Sequence, residues 1–287
     1  MCGILGVVVK KNSVNVVRNL FDIFDHQAGR GVRGAGISIN SAEGLWRFRS
    51  YSPYRIFAAY NAAIWDGVHD GDRIVFHHRT PTSTANAPRF NHPFENEDKT
   101  IHLIHNGIIA NDVELFNALR ERHTFETLEG DKFTDSEVLL HLFEDEYEKS
   151  HHPVTSLRKM SERSTGSFAI AMQRAGEACI WLVKHNNPVV ISKDSDDNFY
   201  FSSELDETNT NLTKVCEMGD GEIGRLTKDG YEKCGDFTAP VTRWVYHFAD
   251  EKKKHKKGKQ AALSEIPEYD DVYGFSWKKK RGDWMGW

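Results

Sequence analysis

Met1-Cys2-Gly3-Ile4-Leu5-Gly6-Val7-Val8-Val9 opens the chain, and its second residue admits two readings between which the rest of the sequence must choose. A side chain as small as Cys next to Met favours removal of the initiator methionine, which makes Cys2 the N-terminal residue. A terminal Cys carries its own base, because an α-amino group has an unperturbed pKa of about 7.7 to 8.0. That amine takes the thiol proton directly or through one water and leaves a nucleophilic sulfur. The apolar run behind it reads as a buried strand that holds the terminus rigid. In the second reading Met-Cys-Gly is an accident of translation start and Cys2 is a small core residue. Position alone does not separate the two.

The chain has 287 residues, 39 % of them hydrophobic, with 17 Phe and 7 Trp, enough for a substantial core. Its net charge of −5 argues against a surface devoted to nucleic acid. That charge is uneven: residues 241–287 hold 11 Lys plus Arg against 7 Asp plus Glu, a surplus of four positive charges, which leaves −9 on residues 1–240. Cysteines at 2, 179, 216 and 234 form neither a dense disulfide framework nor a C-x-x-C pair. A reducing cytoplasm is the expected setting. No export signal opens the chain, and no stretch approaches the length of apolar residues a membrane helix requires.

Ser13 is placed to cap a helix whose one face is Val14, Val17, Leu20, Phe21 and Phe24, ending near Gly29. The glycine-rich segment 29–36 then feeds a strand at 37–39, with a hairpin partner at 44–49. Strands are expected at 73–80 and 100–109, helices at 112–122, 136–149 and 153–164, and a meander of strands at 167–173, 178–184, 189–192 and 199–202, with a last hairpin over 221–231. Strands come in runs and helices in one central block. That order predicts an α+β fold of stacked, mainly antiparallel sheets with helices outside. Length and composition allow one domain or a domain plus an appendage, and the expected division is a folded domain over 1–240 and a basic, aromatic tail over 241–287.

Polar motifs gather at the strand ends. In His77-His78-Arg79-Thr80-Pro81-Thr82, Arg79 leaves its strand before a proline turn, where a guanidinium fork suits a carboxylate; an ordinary surface Arg fits the same pattern. In His105-Asn106-Gly107-Ile108-Ile109, the Asn amide and Gly N–H offer two converging donors of the kind an acyl-transfer oxyanion needs; a plain Asn-Gly hairpin turn fits equally. Thr134-Asp135-Ser136-Glu137 has capping-box spacing, so Asp135 either favours a helix N-terminus or holds an ammonium group.

The order of these pieces resembles the class II glutamine amidotransferases. Met-Cys-Gly-Ile is followed by Arg30-Gly31 with Gly34-Ala35-Gly36, by His77-x-Arg79-x-x-Thr82, by Asn91-His92-Pro93, by His105-Asn106-Gly107-Ile108-Ile109-x-Asn111, and by Thr134-Asp135-Ser136-Glu137-Val138-Leu139. The similarity runs from Cys2 to about Thr227. It implies a four-layer αββα sandwich of the N-terminal-nucleophile hydrolase type. It also implies that Cys2 attacks the side-chain amide of L-glutamine to form a γ-glutamyl thioester and release ammonia. By position, Asn106 and Gly107 match the oxyanion hole, Arg79 the group holding the α-carboxylate, Asp135 the group holding the α-ammonium, and Thr82 a neighbour in the pocket. Arg30 and Gly31 match a pair that organises the site. Two departures stand out: Thr80 replaces a frequent aromatic residue after the clamp Arg, and Arg33 replaces an acid.

Relatives usually join the glutaminase to a synthase domain, whose loops have no counterpart in this sequence, so the ammonia is expected to pass to a separate synthase or nucleotide-modifying partner protein, or to be released. The alternatives are an N-terminal-nucleophile hydrolase of another γ-glutamyl amide and a non-catalytic glutamine-sensing or assembly subunit. The tail, with Lys252-Lys253-Lys254-His255-Lys256-Lys257 and three Trp in its last eleven residues, reads as a solvated tail, as a docking element, or as a contact for nucleic acid through cations and stacking rings. No phosphate-binding loop or dinucleotide motif is present, so no cofactor is expected. His77-His78, His102 with His105, and His151-His152 lack a metal-binding signature, so no metal site is predicted.

Overall fold

The computed structural model describes residues 2–31, 33–51, 68–80, 87–206 and 208–240. The expected tail at 241–287 and Thr82 lie outside the described residues. In chain order, β1 (Gly3–Val8) is followed by α1 (Val14–His26), β2 (Gly34–Ser41), β3 (Gly44–Ser50), β4 (Arg73–Arg79), β5 (Phe94–Glu95) and β6 (Ile101–Ile109). Helices α2 (Asp112–Leu119), α3 (Asp135–Ser150) and α4 (Pro153–Arg163) form the central block. Strands β7 (Gly166–Arg174), β8 (Ile180–His185), β9 (Val190–Lys193), β10 (Phe199–Ser202), β11 (Thr213–Glu217), β12 (Glu222–Thr227) and β13 (Gly230–Asp236) complete the described chain.

The strands make two sheets. One has the order β11-β9-β10-β1-β4-β2-β3, the other β13-β12-β8-β7-β6-β5, and the pairs within them are antiparallel. Side chains alternate across a strand, and here that alternation separates three apolar layers. From β1, Leu5 and Val7 face outward with Val16, Val17, Leu20, Ile23 and Phe24 of α1, while Ile4 and Val8 face inward between the sheets. In β7, Ala169 and Ala171 point between the sheets, and Phe168, Ile170 and Met172 point outward against Leu139, Leu142, Phe143, Leu157 and Met160 of α3 and α4. The order of layers is therefore helix, sheet, sheet, helix, the expected αββα sandwich.

The segmental expectations hold with local differences. β11 escaped the sequence reading because its side chains are mostly exposed and show no apolar alternation. Ser13 stands at the head of α1 without a capping bond from its side chain; its hydroxyl donates instead to Asp196 Oδ2 at 3.0 Å. The capping box at the head of α3 does not form either. Thr134 makes no side-chain cap, and the Glu137 carboxylate accepts the N–H groups of Glu126 at 2.6 Å and Thr127 at 3.0 Å. No helix among the described residues is long and apolar enough to cross a membrane.

Leu142 is fully buried in the layer between α3 and the second sheet. Leu142→Ala removes apolar contact and leaves a cavity, so unfolding in urea should show a loss of about 2–5 kcal/mol. A loss well under 1 kcal/mol would mean that the helix layer is not closely packed on that sheet.

Candidate active site

β1 lies between β4 and β10, with Gly3 opposite His78 and Leu5 opposite Ser202. Cys2 therefore emerges from the middle of the sheet beside the end of β4. Its Sγ accepts the Thr80 N–H at 3.4 Å and lies 3.7 Å from the Thr80 carbonyl oxygen. Arg30 Nε donates to the Cys2 carbonyl at 3.0 Å, the Arg30 guanidinium pairs with Glu204, and Thr80 Oγ1 donates to the Arg30 carbonyl at 2.7 Å. Gly31 passes so close to β4 that a Cβ on it would sit 2.5 Å from the His78 carbonyl carbon and 2.6 Å from Arg79 N. Arg30 and Gly31 thus fix the backbone around the sulfur. Burial pushes the Cys2 thiol above its ordinary pKa; the Thr80 N–H and the Arg79 charge oppose this, and Asp135 adds to it. Such a thiol is protonated at neutral pH and needs a base to become a nucleophile.

Arg79, the last residue of β4, is buried. Its Nη1 donates to Asn91 Oδ1 at 3.2 Å, while Asn91 Nδ2 donates to the Ser50 carbonyl at 2.8 Å, which sets the orientation of that amide. Burial lowers the guanidinium's pKa, against the pull of Cys2 and Asp135. The Gly34-Ala35-Gly36 sequence makes room for the residues that hold it. A Cβ on Gly34 would lie 2.5 Å from Asn91 Nδ2, and one on Gly36 would lie 1.7 Å from the His92 carbonyl oxygen. The sequence reading gives Asn91 no role of its own. Its signal is the Asn-His-Pro triplet, and only the distance to Arg79 turns that into a task. The replaced acid at Arg33 leaves an exposed side chain whose backbone N–H donates to the Arg79 carbonyl at 3.2 Å.

Asn106 and Gly107 do not form a hairpin turn; both lie within β6, opposite Ala169 and Phe168. Gly107 has φ of +146°, and a Cβ there would fall 1.9 Å from the Ser167 carbonyl oxygen, so only glycine fits. Asn106 is buried. Its carbonyl accepts from Asn187 Nδ2 at 2.8 Å, and its Nδ2 donates to Ser203 Oγ at 3.4 Å. The same hydroxyl oxygen accepts the Ile4 N–H at 3.1 Å, so one side chain joins the candidate oxyanion residue to the strand that carries Cys2. Asp135 is the first residue of α3. Its Oδ2 accepts the Ile109 N–H at 3.1 Å and its Oδ1 accepts from Ser136 Oγ at 3.1 Å. β6 therefore positions Asn106, Gly107 and Asp135 together. The sequence reading assigns no role to Ser203 or Asn187.

Beneath these residues lie three buried histidines. His77 Nε2 donates to the His105 carbonyl at 3.1 Å, which bridges the two sheets. That leaves His77 Nδ1 to accept from His92 Nδ1 at 3.1 Å, and His105 Nδ1 lies 2.9 Å from Ser136 Oγ. Burial pushes His77 and His92 well below the usual imidazole value and lowers His105 as well. His78, whose ring lies 3.9 Å from that of Phe24 at a tilt of 36°, is lowered to about 4 by burial. His102 is tied to Ser38 and Glu95, and His152 accepts the Thr155 N–H at the start of α4. The pairs noted in the sequence thus serve the frame.

Residues 78–209 match a family model described as a glutamine amidotransferase domain. Among curated proteins, the chain is 30 % identical over 244 residues to a glutamine–fructose-6-phosphate aminotransferase (isomerizing) of Thermus thermophilus, covering 85 % of this chain and 38 % of the relative. It is 30 % identical over 239 residues to the protein of the same name from Thermococcus kodakarensis, covering 80 % of this chain and 37 % of that one. The chain therefore spans little more than a third of the length of these relatives. Among solved structures, glutamine phosphoribosylpyrophosphate amidotransferase from B. subtilis superposes with a TM-score of 0.62 at 20 % identity, covering 84 % of this chain and 50 % of that one. A glutamine aminotransferase class-II domain protein from Silicibacter pomeroyi does so with 0.51 at 18 % identity, covering 83 % of this chain and the whole of that one.

The histidines at 77, 78 and 92 make a test of the buried frame. Each is held neutral in the fold and is free to protonate once unfolded, so below about pH 6.5 the unfolded chain binds more protons and stability rises with pH. The contribution is present above that value and is lost as the pH falls, at roughly 1 kcal/mol per pH unit for each histidine. Urea midpoints should therefore fall by an amount worth several kcal/mol between about pH 7 and about pH 5. A flat profile over that interval would mean that these imidazoles can protonate in place.

Proposed function

Because the chain carries a class II glutamine amidotransferase domain, we propose that it hydrolyses L-glutamine to glutamate and ammonia through a thioester on Cys2. The observation that carries this reading is the surroundings of the Cys2 sulfur. The Thr80 N–H next to Arg79 reaches that sulfur, Arg79 is held by Asn91 and Asp135 by β6, and this cation and anion together complement the two charges on the α-carbon of an amino acid. The guanidinium takes the α-carboxylate and the carboxylate takes the α-ammonium, which leaves the side-chain amide directed at the thiol.

Removal of Met1 gives Cys2 a free α-amine. That amine takes the thiol proton, and the sulfur adds to the amide carbon. Asn106 Nδ2 and the Gly107 N–H are the proposed donors to the oxygen that becomes negative, which stabilises charge only as it develops. The C–N bond then breaks with the proton delivered to nitrogen, and ammonia leaves. Water, deprotonated by the same amine, attacks the thioester carbon and expels the thiolate, yielding glutamate. Arg30 holds the Cys2 carbonyl, and so acts as a positioning residue. Thr82 is proposed to line the pocket on the strength of its motif position. The nitrogen acceptor is proposed to be a synthase, by analogy with relatives whose names couple glutamine to sugar-phosphate substrates, and residues 241–287 are proposed to dock on it.

Purified protein should release ammonia from L-glutamine, and mass spectrometry should find Cys2 as its first residue. Cys2→Ala should abolish the reaction without unfolding the chain; an active protein that retains Met1 would overturn the mechanism. Arg79→Lys should raise KM despite keeping the charge, since an ammonium lacks the planar fork. Asp135→Asn should raise it by the equivalent of about 1.5–3 kcal/mol. Unaltered kinetics in both would remove these residues from the substrate site.

A further inference from the structure

Away from Cys2, four side chains from three separate segments converge on one point. Glu97 lies in the turn after β5, His123 in the loop after α2, and His141 and Glu144 one turn apart on α3. One ligand atom from each lies within 4.8 Å of the other three. His123 Nδ1 is 3.7 Å from Glu97 Oε1 and 3.8 Å from Glu144 Oε2. His141 Nδ1 is 3.7 Å from Glu97 Oε2 and 2.8 Å from Glu144 Oε2. Four donors about 2.0–2.1 Å from a central ion stand about 3.4 Å apart in a tetrahedron. The observed separations bracket that figure.

The outer contacts orient the His123 ring. His123 Nε2 lies 2.9 Å from Asp145 Oδ1, and Asp145 is also paired with Arg122. A carboxylate that already receives Arg122 accepts from the ring, so Nε2 is the donor nitrogen. With Nε2 committed to Asp145, Nδ1 is the His123 atom turned toward the Glu97 and Glu144 carboxylates, an arrangement that a cation between them makes favourable. The His123 and His141 rings stack with centroids 4.6 Å apart. His141 Nε2 faces the Glu137 carboxylate at 4.0 Å. The carboxylates are themselves held: Glu144 Oε1 accepts from Asn96 Nδ2 at 2.8 Å and Glu97 Oε1 accepts the Thr124 N–H at 2.7 Å. A carboxylate behind a histidine and hydrogen bonds behind the ligating carboxylates are the usual outer support of a metal site.

We propose that Glu97, His123, His141 and Glu144 bind one divalent transition ion, Zn²⁺ in chemical class, through the two Nδ1 atoms and one oxygen of each carboxylate. Imidazole with carboxylate is a donor set for this class of ion rather than for Mg²⁺ or Ca²⁺, which favour oxygen alone. The ion braces α3 against the 96–100 turn and the loop after α2. Because α3 begins at Asp135, the brace lies on the helix that bears a candidate substrate group, about 9–14 Å along it at 1.5 Å per residue. The sequence hides the group because only His141-x-x-Glu144 is local.

The test uses the full chain as Cys2→Ala, so that no N-terminal thiolate competes, stripped with chelator and titrated with Zn²⁺ or Co²⁺. Elemental analysis should give one Zn²⁺ per chain, and the melting temperature should rise on binding. Co²⁺ should give tetrahedral d–d bands without thiolate charge-transfer absorption. Glu97→Gln, at an exposed position, and His123→Asn should each weaken binding by about tenfold or more, and Asp145→Asn by about 10- to 100-fold. Substoichiometric binding, a thiolate band, or unchanged affinity in variants with wild-type circular dichroism would overturn the proposal and leave the four residues as an ion-pair network.

Discussion

Everything near Cys2 depends on β1 being an interior strand. β4 occupies one edge of it and β10 the other, and a strand with two partners cannot slip by one residue without turning its whole inward face outward. Ile4 and Val8 belong between the sheets and Leu5 and Val7 belong under α1, so the register is decided by burial on both faces. The sulfur therefore leaves the sheet at one place. From there the constraint spreads sideways: Ser203, just past β10, takes the Ile4 N–H and the Asn106 amide on the same oxygen. The His77 imidazole makes a second bridge between the sheets.

Close approach is the second theme. Gly31, Gly36 and Gly107 each sit where a Cβ would collide with backbone atoms of a neighbouring segment. Backbone is less able to yield than a side chain, so these are fixed requirements. They let the Arg30-Gly31 segment approach the end of β4, β2 approach the Asn91-His92 segment, and β6 approach β7 without a layer of side chains between. Burial then works on the charges so gathered. It raises the Cys2 thiol and lowers the Arg79 guanidinium, in both cases favouring the neutral form. The opposite charges of Arg79 and Asp135 partly restore the balance. In the proposed function the charges of an amino-acid zwitterion complete that pairing.

α3 connects the two polar centres of the molecule. Its first residue, Asp135, is anchored to β6, and its middle carries His141 and Glu144. The buried face between them, with Val138, Leu139 and Leu142, seats the helix on the second sheet. Glu137 spends its carboxylate on the 126–127 backbone rather than on the helix end, so the loop before α3 is fastened to the helix by the residue that local sequence rules assign to capping.

Much of this was written in the sequence. The apolar run of β1, the helical stripe over 14–24 and the grouping of strands and helices point to the sandwich, because burial periodicity is a local property of the chain; of that stripe Val17, Leu20 and Phe24 are buried, while Val14 is exposed and Val16 and Ile23 take its place on the buried face. The ordered motifs around Cys2, Arg79, Asn106 and Asp135 marked the residues to watch for the same reason, each being a short contiguous pattern. What the sequence left open was decided by contacts distant along the chain. Whether Asn106-Gly107 was turn or strand depended on pairing with β7. That Asp135 is tied to β6 and does more than head its own helix depended on the Ile109 N–H. The tasks of Asn91 and Ser203, and the meeting of Glu97 and His123 with His141 and Glu144, exist only once the layers have stacked, since hydrogen-bond distances between separate segments are set by packing and have no period that a sequence can display.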